Sequence, residues 1–214
     1  MRAVLFDIDG TLLTEMPLIQ LFLPQVYNEL SKKLGIPKEE ARERFLGEIM
    51  RRRNTYDWHD WNFFFGLFGL NIKYEDLLVR YPHKLHVYPD VVPTLQWLKD
   101  SGYALGVVTS GPEYQRLKLK LTGLEEYFDV IVTRDDVKAI KPEPQIFLHA
   151  LEKLGVEPGE AVYVGDSLTQ DVYGAKHVGM TAVWINRDGS HGYHLADYEI
   201  RTLHELKKLL GGFV

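Results

Sequence analysis

Two aspartates two residues apart, Asp7 and Asp9, follow the apolar run Ala3-Val4-Leu5-Phe6 and precede Gly10-Thr11. In an extended chain, side chains two apart share a face, and unit charges about 4 Å apart at an effective dielectric of about 20 repel by roughly 4 kcal/mol. The pair therefore demands a positive partner. Four further groups could do chemistry with it: Thr109-Ser110-Gly111, Lys141-Pro142, Gly165-Asp166-Ser167, and Asp171. Singly, each has a plain structural use. Asp9-Gly10 and Ser110-Gly111 make turns, Lys141-Pro142 opens a helix into solvent, and Asp166 or Asp171 caps one. Their value depends on whether the fold brings them together.

The elements that must position them read as an alternation. Residues 103–109 form a buried-type strand, followed by a helix over 113–122 and a strand over 129–133. A helix over 144–154 ends at Gly155; a strand over 161–165, a helix over 171–178, a strand over 181–185 and a helix over 203–210 complete the chain. Asp90 is placed to cap a helix whose apolar face is Val91, Leu95 and Leu98, stopped by Gly102. Such alternation predicts an α/β fold: a Rossmann-like parallel sheet with helices on both faces. Right-handed crossovers then bring every strand's carboxyl end, and all five groups, to one edge.

Residues 15–84 differ in kind. Leu18, Phe22, Val26, Leu30 and Leu34 recur at four-residue steps, with Gly35 and Pro37 closing the segment; Pro24 inside it predicts a kink or a later start. Residues 38–53, 56–68 and 74–81 are also helical by spacing. The expected organisation is an α/β core of residues 1–14 plus 85–214, with an inserted α-helical domain over 15–84.

Composition narrows the chemistry. The chain has 214 residues, a formal net charge of −5 and no cysteine. The charge gives no general attraction for nucleic acid or an anionic membrane. Without thiolates, a metal must be held by oxygen or histidine, which favours a hard cation. The first strand follows Met1 within a few residues with no cationic, apolar leader, and no apolar run reaches the ~18 residues of a membrane span, so a cytoplasmic location is the expectation.

With its motifs in order along the core, the chain resembles the haloacid dehalogenase-like hydrolase superfamily. Asp7-Ile8-Asp9-Gly10-Thr11 matches the first family motif, Thr109 the second, Lys141-Pro142 the third, and Gly165-Asp166-Ser167 with Asp171 the fourth. The helical block lies where the first subclass inserts its cap domain. The resemblance implies a phosphatase similar to phosphoglycolate and glyceraldehyde-3-phosphate phosphatases. Its Mg2+ would be held by the Asp7 and Asp166 carboxylates and the Asp9 carbonyl, with Asp171 bearing on it through water or from one layer out.

The residues suit such chemistry. A carboxylate at Asp7 can attack phosphorus in line to form an acyl-phosphate, and Asp9 can protonate the leaving oxygen and then deprotonate water. Lys141 would neutralise nucleophile and phosphate, and Thr109, with backbone N–H groups around Ser110 and Gly111, would hold the phosphoryl oxygens. Halide displacement needs no acid, so Asp9 ranks phosphatase above dehalogenase; a phosphomutase uses the same core. A receiver-type phospho-acceptor puts its acidic pair and its acceptor on separate strands, unlike Asp7 and Asp9. The expected substrate is a small phosphorylated metabolite, with neither nucleic acid nor membrane as partner; monomer and homodimer are not distinguished.

Selection of that substrate should lie in residues 15–84. Arg51, Arg52 and Arg53, if helical, fan over about 200° and read as a solvated face. Tyr56, Trp58, Trp61, Phe63, Phe64, Phe65 and Phe68 read as core of the helical block before a pocket floor, and His59, His83 and His86 as structural or solvated.

Overall fold

Ala3 and Leu5 face one side of the first strand, Val4 and Phe6 the other, and all four are fully buried, so this strand needs cover on both faces. The computed structural model describes residues 1–190 and 195–211. Its main sheet has six strands: β1 (Ala3–Phe6), β2 (Ala104–Val108), β3 (Val130–Val132), β4 (Ala161–Gly165), β5 (Thr181–Ile185) and β6 (Tyr198–Ile200). They lie in the order β3-β2-β1-β4-β5-β6, every pair parallel. This is the Rossmann-like sheet that the alternation predicts. The strand order reverses between β1 and β4, and the crevice outside their carboxyl ends is where such sheets bind ligands.

Strand β6 has no counterpart in the sequence reading. Only Ile200 of its three residues is buried, so no apolar run marks it. The Asn186 N–H donates to the Ile200 carbonyl at 2.8 Å, and the Asp197 carboxylate accepts from the Ala182 N–H at 2.9 Å.

The chain divides into two compact units, Met1–Thr14 with Val87–Val214, and Glu15–His86. The second contains α1 (Met16–Leu34), α2 (Lys38–Arg51), α3 (Trp61–Leu67) and α4 (Tyr74–Arg80). Helix α1 starts at Met16 and continues through Pro24, correcting the later start. Leu18, Phe22, Val26 and Leu30 are buried along it, and at about 1.5–3 kcal/mol each their burial outweighs a proline penalty of about 3 kcal/mol. Leu34, on the same face by spacing, is exposed.

Helix α2 stops at Arg51, so the three arginines do not share a helix. Arg51 and Arg52 pair with Glu48, while the Arg52 and Arg53 guanidinium groups lie over the rings of Phe63 and Trp58 at 5.3 and 5.9 Å. The helical stretch expected over 56–68 is broken at Asp60, whose carboxylate caps α3 by accepting from the Phe63 N–H at 3.2 Å. Phe64 and Phe65 are buried there. Phe65 meets Phe22 edge-on at 5.8 Å, and Phe64 meets Phe45 at 6.3 Å.

The first unit carries α5 (Val91–Asp100), α6 (Tyr114–Leu121), α7 (Arg134–Val137), α8 (Pro144–Leu154), α9 (Tyr173–His177) and α10 (Leu206–Gly211). Val91, Leu95 and Leu98 of α5 and Leu206 and Leu210 of α10 pack with Val4 and Phe6. Ile146, Phe147, Ala150 and Leu151 of α8 cover Ala3 and Leu5 on the opposite face. Asp90 stands at the start of α5 but makes no side-chain cap. Its carboxylate instead accepts from the Leu203 N–H at 2.7 Å and from Arg187 at 3.0 Å, tying α5 to the C-terminal segment.

Candidate active site

Asp7 is the first residue beyond β1, its N–H donating to the Val164 carbonyl at 3.0 Å. Asp166 is the first beyond β4, so the strand-order reversal sets these two carboxylates side by side. The helix expected over 171–178 begins earlier, with a π-helical turn at Leu168–Val172. Ser167 explains this: its Oγ accepts from the Gln170 N–H at 3.2 Å, and its carbonyl from the N–H groups of Asp171 and Val172 at 2.9 and 3.1 Å. The turn points the fully buried Asp171 back, so that its Oδ2 accepts from the Ser167 N–H at 2.9 Å.

Lys141 binds this group together. It lies in the loop between α7 and α8, where its N–H donates to Ser110 Oγ at 3.0 Å and its bond to Pro142 is cis. Its buried ammonium donates to Asp7 Oδ1 at 2.6 Å, Asp171 Oδ1 at 2.7 Å and the Tyr163 hydroxyl at 3.2 Å, using all three protons. Burial opposes its charge, but Asp171 and Asp7 more than compensate and raise its pKa. Asp7 Oδ2 is left without a protein donor among the described residues.

The electrostatics is anion-rich. Burial, opposed by Lys141 and reinforced by Asp171, pushes the Asp7 carboxyl up from 3.8 to about 7. Desolvation, then Asp7 and Asp171, push Asp166 up to about 8, although its side chain reaches solvent. One lysine among three carboxylates does not balance them. An oxygen from each of Asp7, Asp166 and Asp171 lies within 4.8 Å of the others, an all-oxygen donor set that fits a hard divalent cation.

Two glycines make room for this arrangement. A Cβ at Gly10, whose φ is +85°, would lie 2.4 Å from Asp166 Oδ2, and one at Gly165 would lie 2.3 Å from Asp171 Cγ.

Thr109 and Ser110 are buried at the end of β2. The Thr109 Oγ1 accepts from the Gly111 N–H at 3.1 Å, so that N–H, expected to face a phosphoryl group, is used within the turn. Ser110 Oγ supports the Lys141 backbone.

The Asp9 carboxylate is not part of the three-carboxylate group and has its own partners. Strand β1 ends at Phe6, so Asp7 and Asp9 do not share an extended face. The Asp9 carboxylate binds Lys118 of α6, with Nζ to Oδ1 at 3.1 Å and to Oδ2 at 2.9 Å, and accepts from Gln115 Nε2 at 2.9 Å. Thus the cation beside Asp7 is Lys141 and the cation beside Asp9 is Lys118.

Three participants escape a reading by motif: Tyr163, Gln115 and Lys118. Tyr163 passes for an ordinary strand residue, although its hydroxyl is within 3.0 Å of the Val108 carbonyl and 3.2 Å of Asp171 Oδ1. Lys118 left one trace, a lysine four residues after Tyr114 and next to Leu119, both buried, on the core-facing side of α6.

A parallel sheet whose carboxyl edge gathers three carboxylates, a buried ammonium and two hydroxyls defines an α/β enzyme with an acidic, lysine-bearing centre. A family model described as haloacid dehalogenase-like hydrolase matches residues 1–179. The HAD phosphatase from Thermococcus onnurineus is 76% identical in a structure that superposes with a TM-score of 0.98, over 99% of each chain. The glyceraldehyde 3-phosphate phosphatase of Methanopyrus kandleri is 33% identical over 87% of this chain and 84% of its own. The pyrophosphatase PpaX of Bacillus pumilus is also 33% identical, over 98% of this chain and 96% of its own. The chain belongs to the haloacid dehalogenase-like hydrolase family and is an enzyme of that family's phosphatase type. No helix among the described residues is long and apolar enough to cross a membrane.

Proposed function

We propose that the protein is a Mg2+-dependent phosphatase that hydrolyses a small phosphorylated metabolite through an aspartyl-phosphate on Asp7. The observation that carries this reading is Asp7 itself. One oxygen is fixed by Lys141 at 2.6 Å, while the other has no protein donor among the described residues and can approach phosphorus in line. Asp7, Asp166 and the Asp9 carbonyl would hold the ion, with Asp171 acting through water or from one layer out. Mg2+ supplies charge neutralisation for an attack by one anion on another.

The chain's own groups then divide the work. Asp7 Oδ2 attacks, and its bond to phosphorus forms as the ester bond breaks. Asp9 gives its proton to the departing oxygen and later takes one from the water that cleaves the acyl-phosphate. Lys141 keeps the nucleophile oriented and offsets charge on the transferring group, helped by Thr109 and Ser110. Asp171 and Tyr163 hold Lys141.

The core groups act only on the phosphoryl end, which supports assigning selection of the remainder to a cap domain, residues 15–84. The named relatives support a triose phosphate, or a compound of similar size, as substrate. Phosphate release from glyceraldehyde 3-phosphate, phosphoglycolate, pyrophosphate and p-nitrophenyl phosphate with Mg2+ tests the reading. Rapid quenching with phosphorus-labelled substrate should leave hydroxylamine-sensitive label on the wild type and none on Asp7→Asn. Label on both proteins, or turnover undiminished in EDTA, would overturn it.

A further inference from the structure

Helix α6 brings two side chains that no phosphoryl-binding role requires onto Asp9. Gln115 and Lys118 stand three residues apart on one helix face. Gln115 is 4% exposed and Lys118 1%, a burial that lysine tolerates only when paired. Between them they place three N–H···O contacts on the two Asp9 oxygens, at 2.9 to 3.1 Å. Gln115 lies flat on the turn after β2: a Cβ at Gly111 would come within 2.3 Å of its Nε2. Its Oε1 is buried without a partner among the described residues, so the amide engages the site through Nε2 alone.

We propose that Gln115 and Lys118 are positioning residues that fix the Asp9 carboxylate in the orientation from which it exchanges a proton with the leaving group. The proposal rests on the acid–base role assigned to Asp9 above. The Asp9 side chain is 34% exposed, so without these contacts water would compete for it and its rotamers would spread. Proton transfer needs the carboxyl oxygen within hydrogen-bond reach of the departing oxygen, and an Asp9 that wanders loses that geometry for most of its time. Lys118 can do this work without touching substrate. It contacts both carboxylate oxygens while closed off from solvent, whereas Lys141 serves Asp7.

A role exercised through Asp9 has a signature that a structural role lacks: it matters in proportion to the leaving group's need for a proton. The test compares KM and the single-turnover rate of alcohol release, which reports the first step before Asp9 serves as base, for an alkyl phosphate with those for p-nitrophenyl phosphate, whose anion departs unaided. The proteins are the wild type, Asp9→Asn, Lys118→Met and Gln115→Met, all with Mg2+.

General acid assistance contributes about 10²–10⁴-fold, so Lys118→Met should lower the single-turnover release rate for the alkyl ester by about a hundredfold and for the aryl ester by less than about tenfold, with KM nearly constant. Gln115→Met, which keeps the side chain's length and should preserve the fold, should show the same graded loss at about tenfold on the alkyl ester. If Lys118→Met does not fold, Gln115→Met decides. Equal losses on both esters in these variants, an effect on KM alone, or no loss would overturn the proposal. If Asp9→Asn is graded and the two α6 variants are not, only the positioning role fails. If Asp9→Asn itself loses both substrates equally, the acid–base reading falls and this inference with it.

Discussion

Replacing Asp7 with asparagine should abolish turnover and, in the metal-free protein, increase stability at alkaline pH. Asp7 titrates at 3.8 in an ordinary setting and at about 7 in the fold, because burial and Asp171 outweigh Lys141. The contribution of a group raised in this way is full below about pH 4 and is lost as pH rises through 7. A rise from 3.8 to about 7 corresponds to roughly 4 kcal/mol, most of it lost between pH 5 and pH 8. Asparagine carries no such proton, and its neutrality also relieves Asp166, which Asp7 helps to push up. Lys141 keeps Asp171 as a partner at 2.7 Å, so the variant leaves no unpaired buried cation.

Thermal unfolding in EDTA at pH 5 and pH 8 measures the effect. The difference in Tm between variant and wild type should shift in the variant's favour by roughly 6–12 °C between the two pH values, for about 3 kcal/mol in a chain of this length. Turnover with Mg2+ should fall at least about a thousandfold, since a nucleophile acts as a unit with its partners. Parallel pH dependences in the two proteins would refute the electrostatic argument. Retention of more than about one per cent of activity would refute the role given to Asp7.

Mg2+ should raise Tm more at pH 8 than at pH 5, where protons occupy Asp7; at a hundred times its dissociation constant the expected gain at pH 8 is about 2.7 kcal/mol, read by differential scanning calorimetry. Lys141→Met should inactivate the enzyme and destabilise it by roughly 3–5 kcal/mol in urea, more at pH 8 than at pH 5, because Asp7 and Asp171 lose their shared cation. Gly165→Ala should lower kcat by tenfold or more and cost about 1–3 kcal/mol, since the added methyl meets Asp171 Cγ at 2.3 Å and displaces the support of Lys141; an unchanged kcat would show that Asp171 does not need its position.

Two of the readings that failed share a cause. Asp90 has the residue type and position of a cap, yet its carboxylate goes to Leu203 and Arg187, more than ninety residues away in sequence. The helix expected over 171–178 starts earlier because Ser167 begins a π-helical turn, and spacing alone records no such hydrogen bond. In both, a distant or local polar contact overrode a propensity worth about 1 kcal/mol or less.

What the sequence by itself determined is the alternation of buried strands and helices, and hence the single edge on which Asp7, Thr109, Lys141, Asp166 and Asp171 meet. Hydrophobic periodicity and the handedness of crossovers are local or general rules, and they act on residue types that can be read directly. Only the tertiary structure decided which cation serves which carboxylate. Lys141 reaches Asp7 across 134 residues and Lys118 reaches Asp9 across 109. Such pairings depend on side chains converging from separate elements, where Coulomb energy falls with distance in space and is blind to distance along the chain.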